Sequence, residues 1–452
     1  MNQKKIEREY SSYKDPDGYV FYQDNKVFRK VNTNFSDHYH SLKKSGIYKV
    51  LIDQKLLIPF TDLQNEEGLF LETEKIQVIT YPYEWGFEQL KAAALLHLEI
   101  MEICLNNKAI LKDASPFNIQ FYKNKPCFID VLSIEIYESG TPWNAYKQFC
   151  EFFLAPLLLS NYFPGNWNKQ LAIHLEGIPL KEVAALLPYK ARFNSLSLMH
   201  IIAHSKFTAK NEGPKKTATI TKEKTLSIIK HLKLGISELT AKDQSSNWTS
   251  YEGQVPYSAN EFSDKKTVIE KWIANRKYET VLDIGANHDL FATLFFDKAE
   301  NIIAIDNDCA VVDKLYKKQK KPTANFIPLN ADITMVSPSL GINLKERSNF
   351  FSRIKPDMTI ALAVVHHIFQ RRNIPLNYIA DIFSTFSKEL IIEFVSEEDE
   401  QFIKIQNPNN KWVYNKQSFE EAFSVYFNLH EMVEIKKGKR FLYHMTLKEV
   451  DA

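Results

Sequence analysis

The spacing of apolar and polar positions changes several times along the chain. From residue 18 to about 80 it is the spacing of strands. GYVFYQDNKVFRKV alternates around the polar run Gln23-Asp24-Asn25-Lys26, a hairpin signal, and IYKVLIDQKLLIPF and LFLETEKIQVITYPYEW read as further extended segments. At Phe87 the period becomes helical: Leu90, Ala94, Leu95, Leu98, Met101 and Leu105 recur at three and four residues, predicting a buried helix over 87–106. LKDASPFNIQFYKNKPCFID, residues 111–130, then reads as a short strand, a Lys-Asn-Lys turn and a second strand ending on Asp130. Residues 141–205 carry helical spacing interrupted by Pro164-Gly165 and Pro179, and the polar, lysine-rich stretch 206–224 reads as an exposed linker. A helix over roughly 225–240 follows, then Trp248, Tyr251 and Tyr257 interleaved with Ser and Gly, then a helix at 264–275.

From Thr280 the pattern becomes a regular α/β alternation. Val281-Leu282 leads to Asp283 and Gly285, a short helical stretch follows, and the run Ile302 to Ile305 ends on Asp306. Strand, tight turn, helix and a second strand with an acidic tip make the first half of a nucleotide-binding unit. Gly285 lets the backbone turn sharply close to a ligand, and an acid at 306 is placed to accept both hydroxyls of a ribose. A third strand is predicted at 325–334, a fourth at 358–368 and a fifth near 389–395. The fourth has no internal alternation, as expected of a central parallel strand covered on both faces. Strands near 429–435 and 440–447 are joined by Lys436-Lys437-Gly438-Lys439, a hairpin turn. The turn is D-x-G-A-N rather than G-x-G-x-x-G, which points away from NAD. Asp283 stands where a carboxylate can meet the amino group of a cationic ligand.

This half resembles the class I S-adenosylmethionine-dependent methyltransferases. The resemblance spans about 245–452 and implies a Rossmann-like seven-stranded sheet whose last strand is antiparallel. It implies a cofactor site made by Asp283, Gly285, Ala286 and Asn287, by Asp306 and Asn307 at the ribose, and by Ala363. An Asp332 carboxylate would meet the adenine amino group and the Ile333 backbone N–H a ring nitrogen. Asp289 stands where the family usually has another glycine, and the 248–257 aromatics match the family's pre-sheet lid. His366 and His367, where the fourth strand runs out, stand at the acceptor's expected place, and histidine is suited to removing a proton near neutral pH. Glu393, Arg347 and Arg353 are further candidate substrate contacts.

The segment 111–130 resembles the catalytic loop of protein kinases and aminoglycoside phosphotransferases: Asp113, then Asn118 at D-x4-N spacing, then a hairpin and Asp130. The resemblance implies an α+β domain with ATP and magnesium, Asp113 orienting a hydroxyl and Asn118 with Asp130 holding the metal. Leu111 replaces the usual histidine, Val-Leu follows Asp130, and no glycine-rich loop precedes the strands. Lys30 and Lys49 both qualify as the phosphate-binding lysine. Phosphotransfer, nucleotide binding and a purely structural role stay open. The order of the two halves is similar to bacterial kinase–methyltransferase fusions, some of them nodulation-related.

Composition narrows the partners. At 452 residues two or three domains are expected, divided here as 1–205, a linker and connecting helix at 206–244, and 245–452. A net charge of +2, from 57 basic and 55 acidic residues, argues against a dedicated nucleic-acid binder, and the lack of an NPPY-type tetrapeptide makes nucleic-acid bases a weaker expectation as methyl acceptors. A small-molecule or protein methyl acceptor is expected instead. Cys104, Cys127, Cys150 and Cys309 form no CxxC pair, which suits a reducing compartment and offers no zinc site. MNQKKIEREY has no apolar core and no apolar run is long enough for a bilayer, so the expected setting is the cytoplasm, without membrane contact.

Overall fold

The computed structural model describes residues 7–206, 219–242, 258–287, 290–318 and 324–449. The chain forms two compact units, residues 1–243 with 339–348, and residues 244–338 with 349–452. Residues 207–218 of the linker expected at 206–224, the lid aromatics Trp248, Tyr251 and Tyr257, and Asp289 lie outside the described residues, and the linker's expected end is already helical from Lys222.

The first unit carries an antiparallel sheet of order β1-β2-β3-β5-β4, made of Glu7–Arg8 (β1), Gly18–Gln23 (β2), Lys26–Val31 (β3), Phe60–Asn65 (β4) and Gly68–Thr73 (β5). The β2–β3 hairpin closes through Asp24 and Asn25, both left-handed, with φ of 51° and 62°. That geometry matches the twist of paired strands, and Asp and Asn tolerate it better than most side chains. The run at 47–53 is not extended as expected: Ile47–Asp53 is a helix burying Ile47, Tyr48 and Leu51. Its Ile and Val content reads as strand, but the buried set is one helical face.

The helix Phe87–Asn106 has the expected bounds and buries Ala93, Ala94, Leu98 and Met101 completely. Its start is fixed by the Gln89 side chain, which accepts the Gly86 N–H at 3.0 Å. Ala109–Leu111 (β6) pairs with Ile134–Ile136 (β9), and Ile119–Tyr122 (β7) with Lys125–Phe128 (β8) around a turn at Lys123-Asn124. The helix after the linker, Lys222–Glu238, belongs to this unit rather than to a connection. It packs along Phe87–Asn106, with a Lys233–Glu102 ion pair at 2.7 Å.

The second unit is an α/β fold on a seven-stranded sheet: Tyr278–Ile284 (β10), Ala299–Asp306 (β11), Asn325–Asn330 (β12), Met358–Ala361 (β13), Glu389–Val395 (β14), Phe427–Lys436 (β15) and Arg440–Leu447 (β16). The order is β12-β11-β10-β13-β14-β16-β15, the first five parallel and β16 antiparallel to both neighbours. β13 and β14 are buried along their whole length, the mark of strands covered on both faces. The helix Ala259–Ile273 ahead of β10 begins with a capping box, in which Ser258 Oγ accepts the Glu261 N–H and Glu261 Oε2 accepts the Ser258 N–H.

The fourth strand is shorter than the sequence suggested. β13 stops at Ala361, Ala363 turns left-handed at φ 54°, and Val365–Arg372 is a helix. His366 and His367 therefore lie in a helix's first turn, not on a strand. The apolar run continued past the strand because the helix also has a buried face, Val365, Ile368 and Phe369. Likewise the third strand ends at Asn330, leaving Asp332 and Ile333 in the loop beyond it.

Candidate functional site

A cavity of about 610 Å³ opens in the second unit where β10, β11, β12 and β13 end. Carboxyl ends of parallel strands are where such sheets collect ligands, because successive loops diverge there and leave backbone groups exposed. Asp283, Gly285, Ala286, Asn287, Asp306, Asn307, Asp332, Ile333, Ala363, His366 and His367 all line it. Every residue singled out in the second half from sequence as catalytic or cofactor-binding thus reaches one cavity.

Gly285 holds the turn after β10. Its φ is +71°, and a Cβ there would come within 2.8 Å of Val364 Cγ2, so both conformation and space require glycine. Asn287 at φ 41° and Ala363 at 54° add two more left-handed residues to the lining, a concentration of strain of the kind found at ligand sites. Asp306 accepts the backbone N–H of Asp308 at 2.9 Å and of Asn287 at 3.3 Å. Burial outweighs these hydrogen bonds and pushes its carboxyl up to about 6. Asn287 Oδ1 is buried with no hydrogen-bond partner among the described residues.

Asp332 differs from expectation. Its Oδ1 accepts from Thr334 N and Oγ1 at 2.9 and 2.7 Å, and its Oδ2 pairs with Arg372. Burial opposes ionisation, but these partners outweigh it and hold the carboxyl below its ordinary value. Both oxygens are thus engaged within the protein, which does not match a carboxylate held out for an adenine amino group.

Behind the cavity lies a buried charge network that sequence patterns did not reveal. Lys265 Nζ meets Glu393 Oε2 at 2.7 Å, both fully buried. Arg440 makes a fork to Asp399, Nε to Oδ2 at 2.8 Å and Nη2 to Oδ1 at 2.9 Å, and approaches Glu393 at 3.8 Å. Lys265 and Arg440 both line the cavity, and burial pulls the Lys265 ammonium below its usual value despite Glu393. Neither stands in a recognisable motif; Lys265 is one lysine of Lys265-Lys266 in an amphipathic helix and Arg440 follows a hairpin turn. Glu393 is therefore buried in ion pairs rather than offered to a substrate. Arg347, also expected there, belongs to the first unit, its guanidinium 3.9 Å above the Phe117 ring, and Arg353 does not line the cavity.

His366 is 1% exposed, and its Nδ1 has no hydrogen-bond partner among the described residues. Burial, His367 and the cations Arg440 and Arg371 hold its imidazole well below the ordinary range, and His367 is pushed down to about 4. Both rings are neutral at pH 7. In the first unit, complete burial brings His97 to about 3, and burial with His231 and His204 brings His200 to about 4. All four take protons more readily unfolded than folded. Their contribution is complete above the unfolded value near 6.5 and is lost as pH falls through it, by up to about 1.4 kcal/mol per histidine per pH unit. Asp306, raised to about 6, runs the other way and offsets part of this. Thermal melts are expected to show Tm falling steadily from pH 7 to 5, and His97→Phe to flatten that slope. A Tm independent of pH over this range would mean that these rings are solvated.

In the first unit, Asp113, Asn118 and Asp130 do come together. Asn118 Nδ2 donates to Asp113 Oδ2 at 2.7 Å and lies 3.4 Å from Asp130 Oδ2. Asp130 Oδ1 is held by Arg29 Nη1 at 2.7 Å, Ser133 Oγ donates to its Oδ2, and Lys112 pairs with Asp17. Burial and the charge of Asp130 raise the carboxyls of Asp15 and Asp113. Asp130 is thus tied to the protein's own cation, and no group of three or more His, Cys, Asp or Glu among the described residues is arranged to hold a metal. The arrangement does not fit the expected magnesium. Neither expected lysine faces Asp130: Lys30 lies over the Phe70 ring and Lys49 pairs with Asp53, whereas Arg29, one position earlier on β3, takes that place.

All four cysteines are free thiols, and no helix among the described residues is long and apolar enough to cross a membrane.

Fold and site together define a protein whose second unit is an α/β fold with a cavity at the carboxyl ends of a mainly parallel sheet. The nodulation protein NoeA of Rhizobium meliloti (strain 1021) is 31% identical over 451 residues, covering 96% of this chain and 94% of that protein, and the chain belongs to its family. No protein-family model matches the chain. Among solved structures, the N-methyltransferase NodS from Bradyrhizobium japonicum WM9, in complex with S-adenosyl-L-homocysteine, is 10% identical. It covers 45% of this chain and 100% of its own, with a TM-score of 0.32. The bifunctional kinase–methyltransferase WbdD is 16% identical, covering 44% of this chain and 41% of its own, with a TM-score of 0.29. Likenesses at this level leave the function to the site itself.

Proposed function

We propose that the second unit is a methyltransferase that takes its methyl group from S-adenosylmethionine and passes it to an oxygen or nitrogen acceptor. The observation that carries this reading is the convergence in one cavity of the Gly285 turn, the Asp306 carboxylate at the tip of β11, and His366. The lining fits the cofactor: a glycine whose missing Cβ leaves the turn its space, a carboxylate for a ribose diol, and the buried Asn287 Oδ1, which has no hydrogen-bond partner among the described residues. Asp283, buried at the end of β10, is the group for a ligand ammonium. When bound, S-adenosylmethionine supplies an electrophilic methyl on a sulfonium. The protein's part is to hold acceptor and methyl in line, exclude water, and take a proton where the acceptor must lose one, for which neutral His366 is available.

The Asp306 carboxylate gives the direct test. By calorimetry on the full chain, Asp306→Ala is expected to weaken S-adenosylhomocysteine binding by about 1–3 kcal/mol, the range for losing hydrogen bonds to a buried charge. Since the diol is bound best by the ionised carboxylate, wild-type affinity should also fall as pH drops through about 6. No measurable binding at millimolar ligand would remove the reading.

For the first unit we infer a kinase-like module that binds rather than phosphorylates. The meeting of Asp113, Asn118 and Asp130 supports the likeness, and the Arg29 and Lys112 ion pairs argue against metal-dependent transfer.

A further inference from the structure

The first unit carries a face that neither unit's candidate site uses. Its turn Tyr189–Phe193 presents two aromatic rings to solvent, Tyr189 70% and Phe193 79% exposed. No large apolar side chain among the described residues is more exposed than Phe193. The two rings meet edge to face at 5.6 Å and so form one exposed pair. Leu186, the last residue of the helix Leu180–Leu186, is exposed too, as are Leu198 and Met199, which open the helical segment Leu198–Ala203. That segment packs against both the turn and the helix. Single exposed apolar residues are ordinary, but a cluster of them marks a surface that something covers.

The charge of this face indicates what covers it. Lys190 and Arg192 alternate with the apolar residues of the same turn, both exposed, and neither makes an ion pair among the described residues. Their cations lie beside rings instead, Arg192 5.2 Å from the Tyr189 centroid and Lys190 5.7 Å from that of Tyr162. Residues 183–206 hold no Asp or Glu, although 55 of the 452 residues are acidic, and Glu182 just before them faces His174 at 3.8 Å. Exposed aromatics interleaved with cations suit the interface of a bilayer. Rings enter the boundary between headgroups and acyl chains, while ammonium and guanidinium groups stay at the anionic headgroups. A protein partner fits less well, since lysine is depleted at the cores of protein interfaces. No helix among the described residues crosses a bilayer, but lying against its surface requires only such a patch.

We propose that the first unit docks on an anionic lipid surface through the turn Tyr189–Phe193. Tyr189 and Phe193 enter the interface, and Lys190 and Arg192 meet the lipid phosphates.

The test sediments the full chain with vesicles of phosphatidylcholine alone, or with about a third phosphatidylglycerol. The chain is expected to partition onto the anionic vesicles roughly tenfold more strongly than onto the neutral ones, and less as salt rises and screens the exposed charges. Tyr189→Ser with Phe193→Ser, and separately Lys190→Gln with Arg192→Gln, are each expected to weaken that partition roughly tenfold at the Tm of wild type. The charge pair keeps the test decisive should the aromatic pair disturb folding. No partition onto either vesicle, equal partition onto both, or wild-type partition by either folded variant overturns the inference. Retention on immobilised polyglutamate that matches the anionic vesicles and survives loss of both aromatics makes this a face for an acidic protein, and overturns it as well.

Discussion

Methyl transfer by His366→Ala is expected to fall roughly 10²–10⁴-fold, the range for removing a positioned general base. Cofactor affinity should stay within about 0.5 kcal/mol of wild type, as for a residue outside the cofactor contacts. The expectation rests on where the ring sits. Its Nδ1 is buried and without a hydrogen-bond partner among the described residues, and the strand ends, not its helix, supply the groups assigned to the cofactor. Its low proton affinity keeps it neutral and therefore able to accept a proton, though as a weak base, which places the effect below the top of that range. His366→Asn retains a hydrogen-bonding side chain of similar reach without the basic nitrogen. Turnover close to wild type in that variant would make His366 a positioning residue only, and lost cofactor affinity in both variants would move it into the cofactor pocket.

The largest effect on stability is expected from Arg440→Met. Removing this guanidinium leaves Asp399 with only Lys436 at 3.9 Å and the Gln401 N–H at 2.8 Å in place of its two-point partner, and Glu393 with one fewer cation, the side chains of all three being buried. Uncompensated buried charge costs about 3–5 kcal/mol. For a unit of this size that is a drop in Tm of roughly 10 °C or more. Replacing Asp399 by Leu in the same chain removes the stranded charge and should recover more than half of the loss. A loss below about 1 kcal/mol in the single variant would mean that Asp399 is reached by water, as surface ion pairs are.

Much of the cavity lining was legible because the chain itself marks where the strands of a parallel sheet end. Asp283, Gly285, Asp306 and Asp332 each follow an apolar run, and each does reach the cavity. The cations around them were not legible. Lys265 lies on a helix otherwise read as amphipathic, Arg440 follows a turn, and Arg371 and Lys404 look like ordinary helix-end charges. In the first unit the convergence of Asp113, Asn118 and Asp130 was legible from spacing, yet Arg29 was not, because β3 offers Arg29 and Lys30 on opposite faces and only the folded sheet selects one.

By itself the sequence determined the elements whose period is long and uninterrupted: the helix Phe87–Asn106, the strands of the parallel sheet, and the hairpins at Asp24-Asn25 and Lys437-Gly438. Periodicity is a local property, and a segment that buries one face states it in its own residues. The tertiary structure alone decided the helix at Ile47–Asp53, the break at Ala361 that puts both histidines on a helix, and every charge pairing. Apolar runs are compatible with either element when short, and a buried ion pair joins residues far apart in the chain, 128 positions in the case of Lys265 and Glu393. Such pairs are specified by the packing that brings them together and leave no spacing to read.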